Sequence, residues 1–354
     1  MNVHKWLYHK LHFQFQPKLL IYIMAEKQNK EQSLIDAQIR ELDESDQEFE
    51  SLWQMWQAIF PDWPIERQRL EKIIHQMPGN HLIHEHGFCL SFLQNGVLGM
   101  ISAVGVLPDH RRKGLGTALV HKAHEVLKKA AKDSGEQELQ SLEVGSWAPR
   151  FWPQMPMNIS QEVKDFFLHC GFKKSPELGP RDLFKDIRNG NVVPADVLEK
   201  VAKTNIIYRP WSPELYEECL EKQRANFNWW KGYKILAQYG QHSQAMVAID
   251  PDTNAQVGWT FMCSPDAIIS DMYAFLPLSP TKEKTGSISA VGIDPSFRGK
   301  GVGLGLVARA MENMKERGIE GIMIDSTWLR GFYEKLGFKA QWEYERWVWE
   351  DINQ

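Results

Sequence analysis

The sequence predicts an α/β protein that contains two copies of one domain in tandem. The segment 101–128 returns as 288–315, with identity at 15 of the 28 aligned positions. The shared residues preserve an apolar strand, a turn with one Arg and two Gly residues, and an amphipathic helix. Each half also closes with a strand, a helix and a Gly-Phe pair, at 171–172 and 337–338. Self-similarity of this kind is typical of a repeated structural unit.

Length and composition are those of a globular chain with two cores. The chain has 354 residues, of which 43% are hydrophobic and 24% charged, and its formal net charge is −4. Two domains of about 150 residues each are therefore expected. The negative charge argues against a nucleic-acid partner, which needs a concentrated basic surface. Because no run of 18 apolar residues occurs, the sequence predicts no membrane span.

Changes in composition predict the domain boundaries. Residues 1–33 are expected to be a non-domain extension, because they match neither a transit peptide nor a secretory signal. The N-terminal domain is predicted at 34–186, a linker with Asn-Gly and Pro194 at 187–204, and the C-terminal domain at 205–354. The four Cys residues are scattered, which predicts reduced thiols, no metal site and a cytoplasmic location.

Hydrophobic periodicity predicts similar elements in each half. The predicted strands are 37–42, 87–93, 100–106 and 141–144 in the first half, and 205–209, 246–249, 256–263, 287–293 and 321–325 in the second. The predicted helices are 49–60, 65–77, 164–170, 215–226 and 329–336, besides the repeated helix after each turn. Residues 148–161 are rich in Pro and aromatic residues, lack a counterpart in the second half, and are predicted to be a loop.

The repeated turn is the part of the chain that indicates chemistry. In the second copy the strand ends at Ile293, and the pattern Arg298-x-x-Gly301-x-Gly303 opens a helix. The glycines permit close backbone approaches that a Cβ would block. The unpaired N–H groups of the first helical turn, together with the helix dipole, form a site for a pyrophosphate. Arg298 and Lys300 add positive charge.

Both copies of the turn resemble the R/Q-x-x-G-x-G/A motif of GNAT-superfamily N-acetyltransferases. Neither copy fits a Walker A loop or the dinucleotide fingerprint. The preceding strand, the following helix and the closing stretch GFYEKLGF at 331–338 extend the resemblance over about 37–186 and 205–349. The resemblance implies two GNAT-like domains in tandem, each a splayed mixed β-sheet flanked by helices. It also implies acetyl-CoA as the acetyl donor.

The resemblance assigns acetyl-CoA contacts in both copies. In the second copy the implied residues are Val291, Gly292, Ile293, Arg298, Gly299, Lys300, Gly301, Val302 and Gly303. In the first copy they are Val104, Val106, Arg111, Arg112, Lys113, Gly114, Leu115 and Gly116. The backbone at Val291 is expected to face the thioester carbonyl, where an N–H group can contribute about 3 kcal/mol of transition-state stabilisation.

Tyr333 matches the family's usual general acid, which protonates the departing coenzyme A thiolate. The alternative is a Tyr that packs in the core of an amphipathic helix. The first half has Phe167 at the corresponding place, and Phe cannot donate a proton. The resemblance therefore implies catalysis in the C-terminal half and suggests that the N-terminal copy is degenerate.

The attacking amine needs a base, and the sequence offers one main candidate. Some relatives have a Glu where this chain has Ser287, which is a poor base. Asp325, at the end of the strand before Tyr333, is the best remaining carboxylate, either to deprotonate or to anchor the amine. A helix cap is the alternative role for Asp325. Asp271 and Glu283 are weaker candidates.

The closing stretch 323–344 is similar to tandem acetyltransferases that act on glucosamine and glucosaminides. Aromatic residues suit a sugar that carries an amine, although most of them also fit a protein core. They are Phe151, Trp152, Trp229, Trp230, Trp328, Trp342, Tyr344, Trp347 and Trp349. We therefore expect a small-molecule amine as acceptor, namely an amino sugar. The alternatives are a protein lysine, a protein N-terminus, an aminoglycoside, or a non-catalytic module that only binds acetyl-CoA. The sequence is compatible with a homodimer.

Overall fold

The computed structural model describes residues 35–349, apart from 44, 77–78, 136–137, 148–149 and 228. The predicted extension, residues 1–33, lies outside the described residues. The described helices are α1 (Asp46–Ile59), α2 (Arg67–Gln76), α3 (Leu115–Asp133), α4 (Gln161–His169), α5 (Ala195–Val201), α6 (Tyr216–Asn226), α7 (Trp230–Gln238) and α8 (Val302–Glu316). The strands of the first half are β1 (Arg40–Glu41), β2 (Leu82–His84), β3 (Gly87–Gln94), β4 (Leu98–Val106), β5 (Ser141–Val144), β6 (Met155–Pro156) and β7 (Lys173–Asp186). Those of the second half are β8 (Ile207–Pro210), β9 (Ala245–Ile249), β10 (Gln256–Cys263), β11 (Thr285–Ile293), β12 (Gly321–Thr327) and β13 (Lys339–Trp349).

Helix α1 illustrates how local sequence gives these elements. The Ser45 side chain caps the helix by accepting a hydrogen bond from the Glu48 backbone N–H at 3.4 Å. Phe49, Leu52 and Trp56 recur at helical spacing and are all buried. Among the described helices, none is long and apolar enough to cross a membrane.

Several segments differ from the sequence-based expectation. Of the strand predicted at 37–42, only Arg40–Glu41 is a strand, and residues 35–38 are helical. The loop predicted at 148–161 contains β6 and the first residue of α4. The helix predicted at 329–336 is only a 3₁₀ turn, Tyr333–Leu336, because Gly331 just before it has a left-handed φ of 75° that interrupts the helical backbone. The predicted linker contains α5, whose Val197 and Val201 side chains are buried in the core beneath α8. The linker is therefore packed against the C-terminal half.

All strands join one mixed sheet. Their order is β1-β2-β3-β4-β5-β13-β7-β12-β11-β10-β9-β8, and β6 pairs with β13 outside this path. The pairs β4–β5 and β11–β12 are parallel, and the other neighbours are antiparallel. Helices flank the sheet in both halves: α3 and α8 lie over separate buried clusters, while α1 with α2 and α6 with α7 cover two others.

The two halves exchange their last strands. Strand β7 ends the first half in sequence, yet it pairs with β12 of the second half from Gly321–Asp186 to Thr327–Arg181. Strand β13 ends the second half, yet it pairs with β5 of the first through Val348–Glu143 and Trp349–Leu142. Strands β7 and β13 also pair with each other at the centre of the sheet. Each half is thus completed by a strand from the other.

Candidate active site

The parallel strands β11 and β12 separate part-way along their length. Their pairing runs from Thr285–Gly321 to Ile288–Ile324 and then ends. Beyond that point the register between β11 and β10 shifts, and Ala290 adopts a φ of 52°. Within the described chain, residues 289–293 therefore have no paired strand on the β12 side. Val291, Gly292 and Ile293 lie on this open stretch, where backbone groups are available to a ligand.

The predicted phosphate-binding turn follows β11 directly. Arg298 folds back on the strand, with its Nε donating to the Ile293 carbonyl oxygen at 3.1 Å. Gly301 begins α8 as its N-cap with a φ of 81°, which favours glycine. Gly299 has a φ of 77°, and a Cβ there would meet no atom within 4 Å. The turn is thus shaped by glycine and open on its outer side.

The chemistry of this turn suits an anion. Arg298, Lys300 and Gly301 are exposed, whereas Val302 is buried and offers only its backbone. The first N–H groups of α8 have no intrahelical acceptors, and the helix dipole adds partial positive charge. These donors and the two cations together fit a pyrophosphate group such as that of coenzyme A.

Gly303 lies in the first turn of α8, and a Cβ there would be 3.4 Å from Ile293 Cγ1. We expect Gly303→Val to raise the KM for acetyl-CoA about tenfold, because the branched side chain would occupy the space beside the phosphate-binding amides. Steady-state kinetics with varied acetyl-CoA test this. Gly116→Val is the matched change in the first copy, and a tenfold effect there, with none at Gly303, would contradict the assignment.

The first copy of the turn has the same backbone geometry. Arg111 Nε donates to the Val106 carbonyl oxygen at 3.0 Å, as Arg298 does to Ile293. Gly114 begins α3 with a φ of 86°. The other predicted residues lie around it: Arg112 and Lys113 are exposed, Leu115 is buried, and Val104 and Gly116 are half-buried. The repeat in sequence is therefore a repeat in structure.

Tyr333 lies on the α8 side of the sheet. It belongs to the buried cluster that includes Leu306 of α8, and Val291 and Ile293 pack against that cluster. Burial raises the pKa of Tyr333 to about 12, so its hydroxyl is protonated at neutral pH. Among the described residues, this hydroxyl has no hydrogen-bond partner. A protonated donor without a partner is what a general acid requires.

Asp325 lies just past the end of the β11–β12 pairing and is held by Arg150. The Arg150 guanidinium binds both carboxylate oxygens, with Nε donating to Oδ1 at 3.1 Å and Nη2 to Oδ2. The Arg150 side chain is 13% exposed and that of Asp325 is 6% exposed. A buried bidentate pair of this kind fixes the position of the carboxylate.

Asp182 is a second carboxyl group at the same place, and no motif or spacing in the chain predicted it. Its Oδ1 accepts from the Ser326 backbone N–H at 2.7 Å, and its Oδ2 accepts from the Tyr344 hydroxyl at 2.6 Å. Burial, followed by the negative charge of Asp325, raises the pKa of Asp182 to about 7. Asp182 comes from β7 and Arg150 from the loop before β6, so both belong to the first half of the sequence.

The weaker base candidates are less suitable. Asp271 pairs with Arg69 and with Lys72, at 3.3 and 2.6 Å. Glu283 lies on an exposed 3₁₀ turn. The Ser287 hydroxyl is fully buried and has no hydrogen-bond partner among the described residues. Asp325 is thus the carboxylate of the predicted set that lies at the gap between the strands.

The first half lacks both candidate catalytic side chains at equivalent positions. Ile101–Val144 and Ile288–Ile324 are the last parallel pairs, so the position of Asp325 corresponds to Gly145. A Cβ at Gly145 would lie 2.5 Å from the Pro153 carbonyl oxygen, so no side chain fits there. Phe167 is buried where the second half has Tyr333.

The predicted loop of the first half packs into an aromatic cluster. Trp152 stacks on Trp56 at a centroid distance of 5.6 Å and meets Phe60 edge-on at 5.3 Å. Phe151 contacts Trp56 at 4.7 Å. Of the aromatic residues considered for a sugar, Trp328 (51% exposed) and Trp229 (39%) remain at the surface. Phe151 and Trp152 are core residues.

Within the described chain, no group of three or more His, Cys, Asp or Glu side chains is arranged to hold a metal ion. The four Cys residues are free and buried.

Comparisons with known proteins agree with this geometry. The sequence model of the acetyltransferase (GNAT) family matches residues 49–148 and again 204–338. A mycothiol acetyltransferase of Nocardia farcinica (strain IFM 10152) is 23% identical over 293 residues, which cover 78% of this chain and 84% of that protein. A glucosamine 6-phosphate N-acetyltransferase of Trypanosoma brucei brucei is 41% identical over 56 residues, or 16% of this chain and 38% of that protein.

A solved structure with a similar fold is described as a GCN5-related glucosamine N-acetyltransferase region of a fungal multi-domain GH3 β-N-acetylglucosaminidase. It covers 88% of this chain with a TM-score of 0.75 and 23% identity. This chain spans 38% of that protein's length. At this identity the match shows the shared fold.

Proposed function

Because this chain belongs to the acetyltransferase (GNAT) family, we propose that its C-terminal half moves an acetyl group from acetyl-CoA to the amine of an amino sugar. The observation that carries the proposal is the gap between β11 and β12, with an anion-binding turn at one end and Tyr333 and Asp325 beside it. Family membership makes the chain an acyltransferase. The acceptor and the roles of individual residues are our proposal.

The proposed reaction is direct attack of the amine on the thioester. The backbone N–H at Val291 is the proposed donor to the carbonyl oxygen, whose negative charge grows as the C–N bond forms. The C–S bond then breaks, and the Tyr333 hydroxyl gives its proton to the leaving thiolate. Asp325 attracts the ammonium form of the acceptor and takes the proton whose loss makes the nitrogen a nucleophile, and the second proton, which the nitrogen loses after the C–N bond forms, passes to water. A proton from water restores Tyr333, and Asp325 releases its proton to water.

The positions of the two groups support this division of roles. Tyr333 belongs to the cluster under α8, on the side of the phosphate-binding turn. Asp325 is instead bonded to Arg150, whose backbone N–H and carbonyl bond to Met272 and Ala274 in the loop on the other face. An acid on the donor side and a carboxylate on the acceptor side suit a reaction that takes place across the gap.

We propose that the first half performs no transfer. Gly145 and Phe167 replace the carboxylate and the acid, and the aromatic loop fills the space around Gly145. The exposed turn at Gly114 keeps the geometry that binds a pyrophosphate, but a bound thioester would find no catalytic groups there. One turnover site per chain is the consequence.

An amino sugar is the acceptor that the site and the relatives support together. Carboxylates beside a gap attract an ammonium group, and exposed aromatic faces such as Trp328 suit a sugar ring. Two of the similar proteins carry glucosamine acetylation in their descriptions. With a small metabolite as acceptor and acetyl-CoA as donor, we propose the cytoplasm as the place of action.

An amine panel with detection of released thiol tests this function. We expect turnover with glucosamine or glucosamine 6-phosphate, and kcat/KM at least about 10²-fold lower for a lysine peptide, because a peptide cannot fill a site built for a small polar amine. An aminoglycoside completes the panel. Preference for the lysine peptide would replace the proposed acceptor. If no amine of the panel led to thiol release, the proposed function would be refuted.

A further inference from the structure

We propose that Arg150 and Asp182, both from the first half of the chain, complete the acceptor site of the C-terminal half as positioning residues for Asp325. This inference rests on the proposed function. It adds that both halves of the chain contribute side chains to the acceptor site. It also adds that the charge of this site is set by a carboxyl group that lies outside the repeated motif.

Arg150 reaches Asp325 because of the extra loop of the first half. Its backbone is anchored on the second half, where the Arg150 N–H donates to the Met272 carbonyl oxygen at 2.9 Å and the Ala274 N–H donates to the Arg150 carbonyl oxygen at 3.2 Å. The side chain then binds both oxygens of Asp325. Both ends of Arg150 are therefore fixed, and so is the carboxylate that it holds.

Asp182 reaches the same place because β7 is exchanged. Strand β7 lies beside β12, which puts the Asp182 carboxyl against the Ser326 backbone N–H, one residue after Asp325. Ser326 has a φ of 46°, so the backbone turns here in a conformation that L-residues seldom adopt. The bond from Asp182 holds this turn and thereby the direction of β12 at the gap.

The charges around Asp182 come from several elements. Asp325 of β12 is the neighbouring anion, Arg150 is the cation, and Tyr344 of β13 donates to the Asp182 carboxyl. Tyr273 lies close enough to interact with Asp325 and Arg150, and its hydroxyl shares a 2.8 Å hydrogen bond with Ser289 on the open part of β11. With burial and Asp325 raising the pKa of Asp182 to about 7, the group is neutral below that pH and carries a charge above it.

The consequence is a change in the charge of the site near neutral pH. With Asp182 protonated, Arg150 and Asp325 cancel, and the site is neutral. With Asp182 ionised, two carboxylates face one guanidinium, and the net charge of −1 attracts an ammonium ion. Affinity for a cationic acceptor should therefore rise with pH through about 7, by way of Asp182, while affinity for acetyl-CoA stays constant.

Four single-residue variants test the proposal: Arg150→Lys, Arg150→Ala, Asp182→Asn and, as control, Arg346→Gln. Arg346 also forms an ion pair across the halves, with Glu143 at 2.6 Å, but it does not contact Asp325. The KM for the best amine of the panel, the KM for acetyl-CoA and kcat are measured from pH 6 to pH 8.5 for each variant, roughly spanning the titration of Asp182. Thermal unfolding confirms that each variant is folded at the assay temperature.

We expect Arg150→Ala to lower kcat/KM for the amine about 10²-fold, because Asp325 loses its fixed position. Arg150→Lys should restore part of this loss, since it keeps the charge but not the bidentate geometry. With the same amine, the KM of the wild type should fall as the pH rises through about 7, and the KM of Asp182→Asn should lack this contribution. In all three the KM for acetyl-CoA should stay within about twofold of wild type, and Arg346→Gln should behave as wild type.

Two outcomes overturn the inference, and they differ from a failure of the proposed function. The inference is wrong if the wild type acetylates an amine and the folded variants Arg150→Lys and Asp182→Asn have the same KM for that amine and the same pH profile as the wild type. It is also wrong if Arg346→Gln reproduces their changes, since the effect would then be structural. If the wild type binds acetyl-CoA and acetylates no amine, the proposed function itself fails and the inference fails with it.

Discussion

Tyr333→Phe is expected to lower kcat by about 10²-fold or more and to leave the KM for acetyl-CoA nearly unchanged. The substitution keeps the buried ring, which packs edge-on against Phe332 at 4.8 Å and lies near Phe338, and removes only the hydroxyl. Without that hydroxyl the thiolate must leave unprotonated or wait for a proton from water. Steady-state kinetics with varied acetyl-CoA separate the loss in kcat from any loss in binding.

Tyr233→Phe is the matched control for this prediction. Tyr233 is also buried, and its hydroxyl has no hydrogen-bond partner among the described residues. Removing it should leave kcat at the wild-type value. A protein that only binds acetyl-CoA would show no turnover to lose, and equal kcat values for wild type and Tyr333→Phe would exclude Tyr333 as the acid.

Trp347→Ala is expected to destabilise the whole chain by about 3–5 kcal/mol. Trp347 belongs to β13 of the second half, yet it is buried in the core of the first half beneath α3. Because the strands are exchanged, loss of this side chain should weaken both halves in one transition. The free energy of unfolding of a native protein is usually about 5–15 kcal/mol, so this loss would be a large fraction of the total stability.

Urea unfolding followed by Trp fluorescence and by circular dichroism measures this effect. The control is Leu178→Ala on β7, where the side chain is 75% exposed and should contribute almost nothing. We expect a single transition whose midpoint moves to lower urea in Trp347→Ala alone. Two separate transitions, with only the first half affected, would mean that the halves are independent in spite of the exchanged strands.

The repeated turn was predictable because its signal is local. Glycines at fixed offsets from Arg298 and a helix that begins at once leave little freedom, and both turns have the left-handed glycines that the spacing requires. Tyr333 was proposed as the acid in the same way, since it lies in a short motif. The segment around Tyr333 was predicted as a full helix because the apolar residues of 329–336 have helical spacing. Gly331, with its left-handed φ, limits it to a 3₁₀ turn.

The strand exchange and the cross-half contacts were not predictable from local patterns. Strand β7 contains Pro176 and Pro180 instead of a regular apolar alternation, and nothing in the sequence of β7 or β13 identifies the neighbouring strand. Arg150 and Asp325 are 175 residues apart, so only the fold brings them together. One signal was present: Arg150 is the only charged residue in the stretch 148–161. An isolated cation among Pro and aromatic residues indicates a buried partner.

Transfer of a labelled acetyl group is the most direct test of the account. Purified chain is mixed with acetyl-CoA labelled in the acetyl group and with glucosamine, and the N-acetyl product is separated and counted. We predict labelled product from the wild type, about 10²-fold slower formation from Tyr333→Phe, and a normal rate from Tyr233→Phe. A chain that binds acetyl-CoA and passes the label to no amine would contradict the central claim.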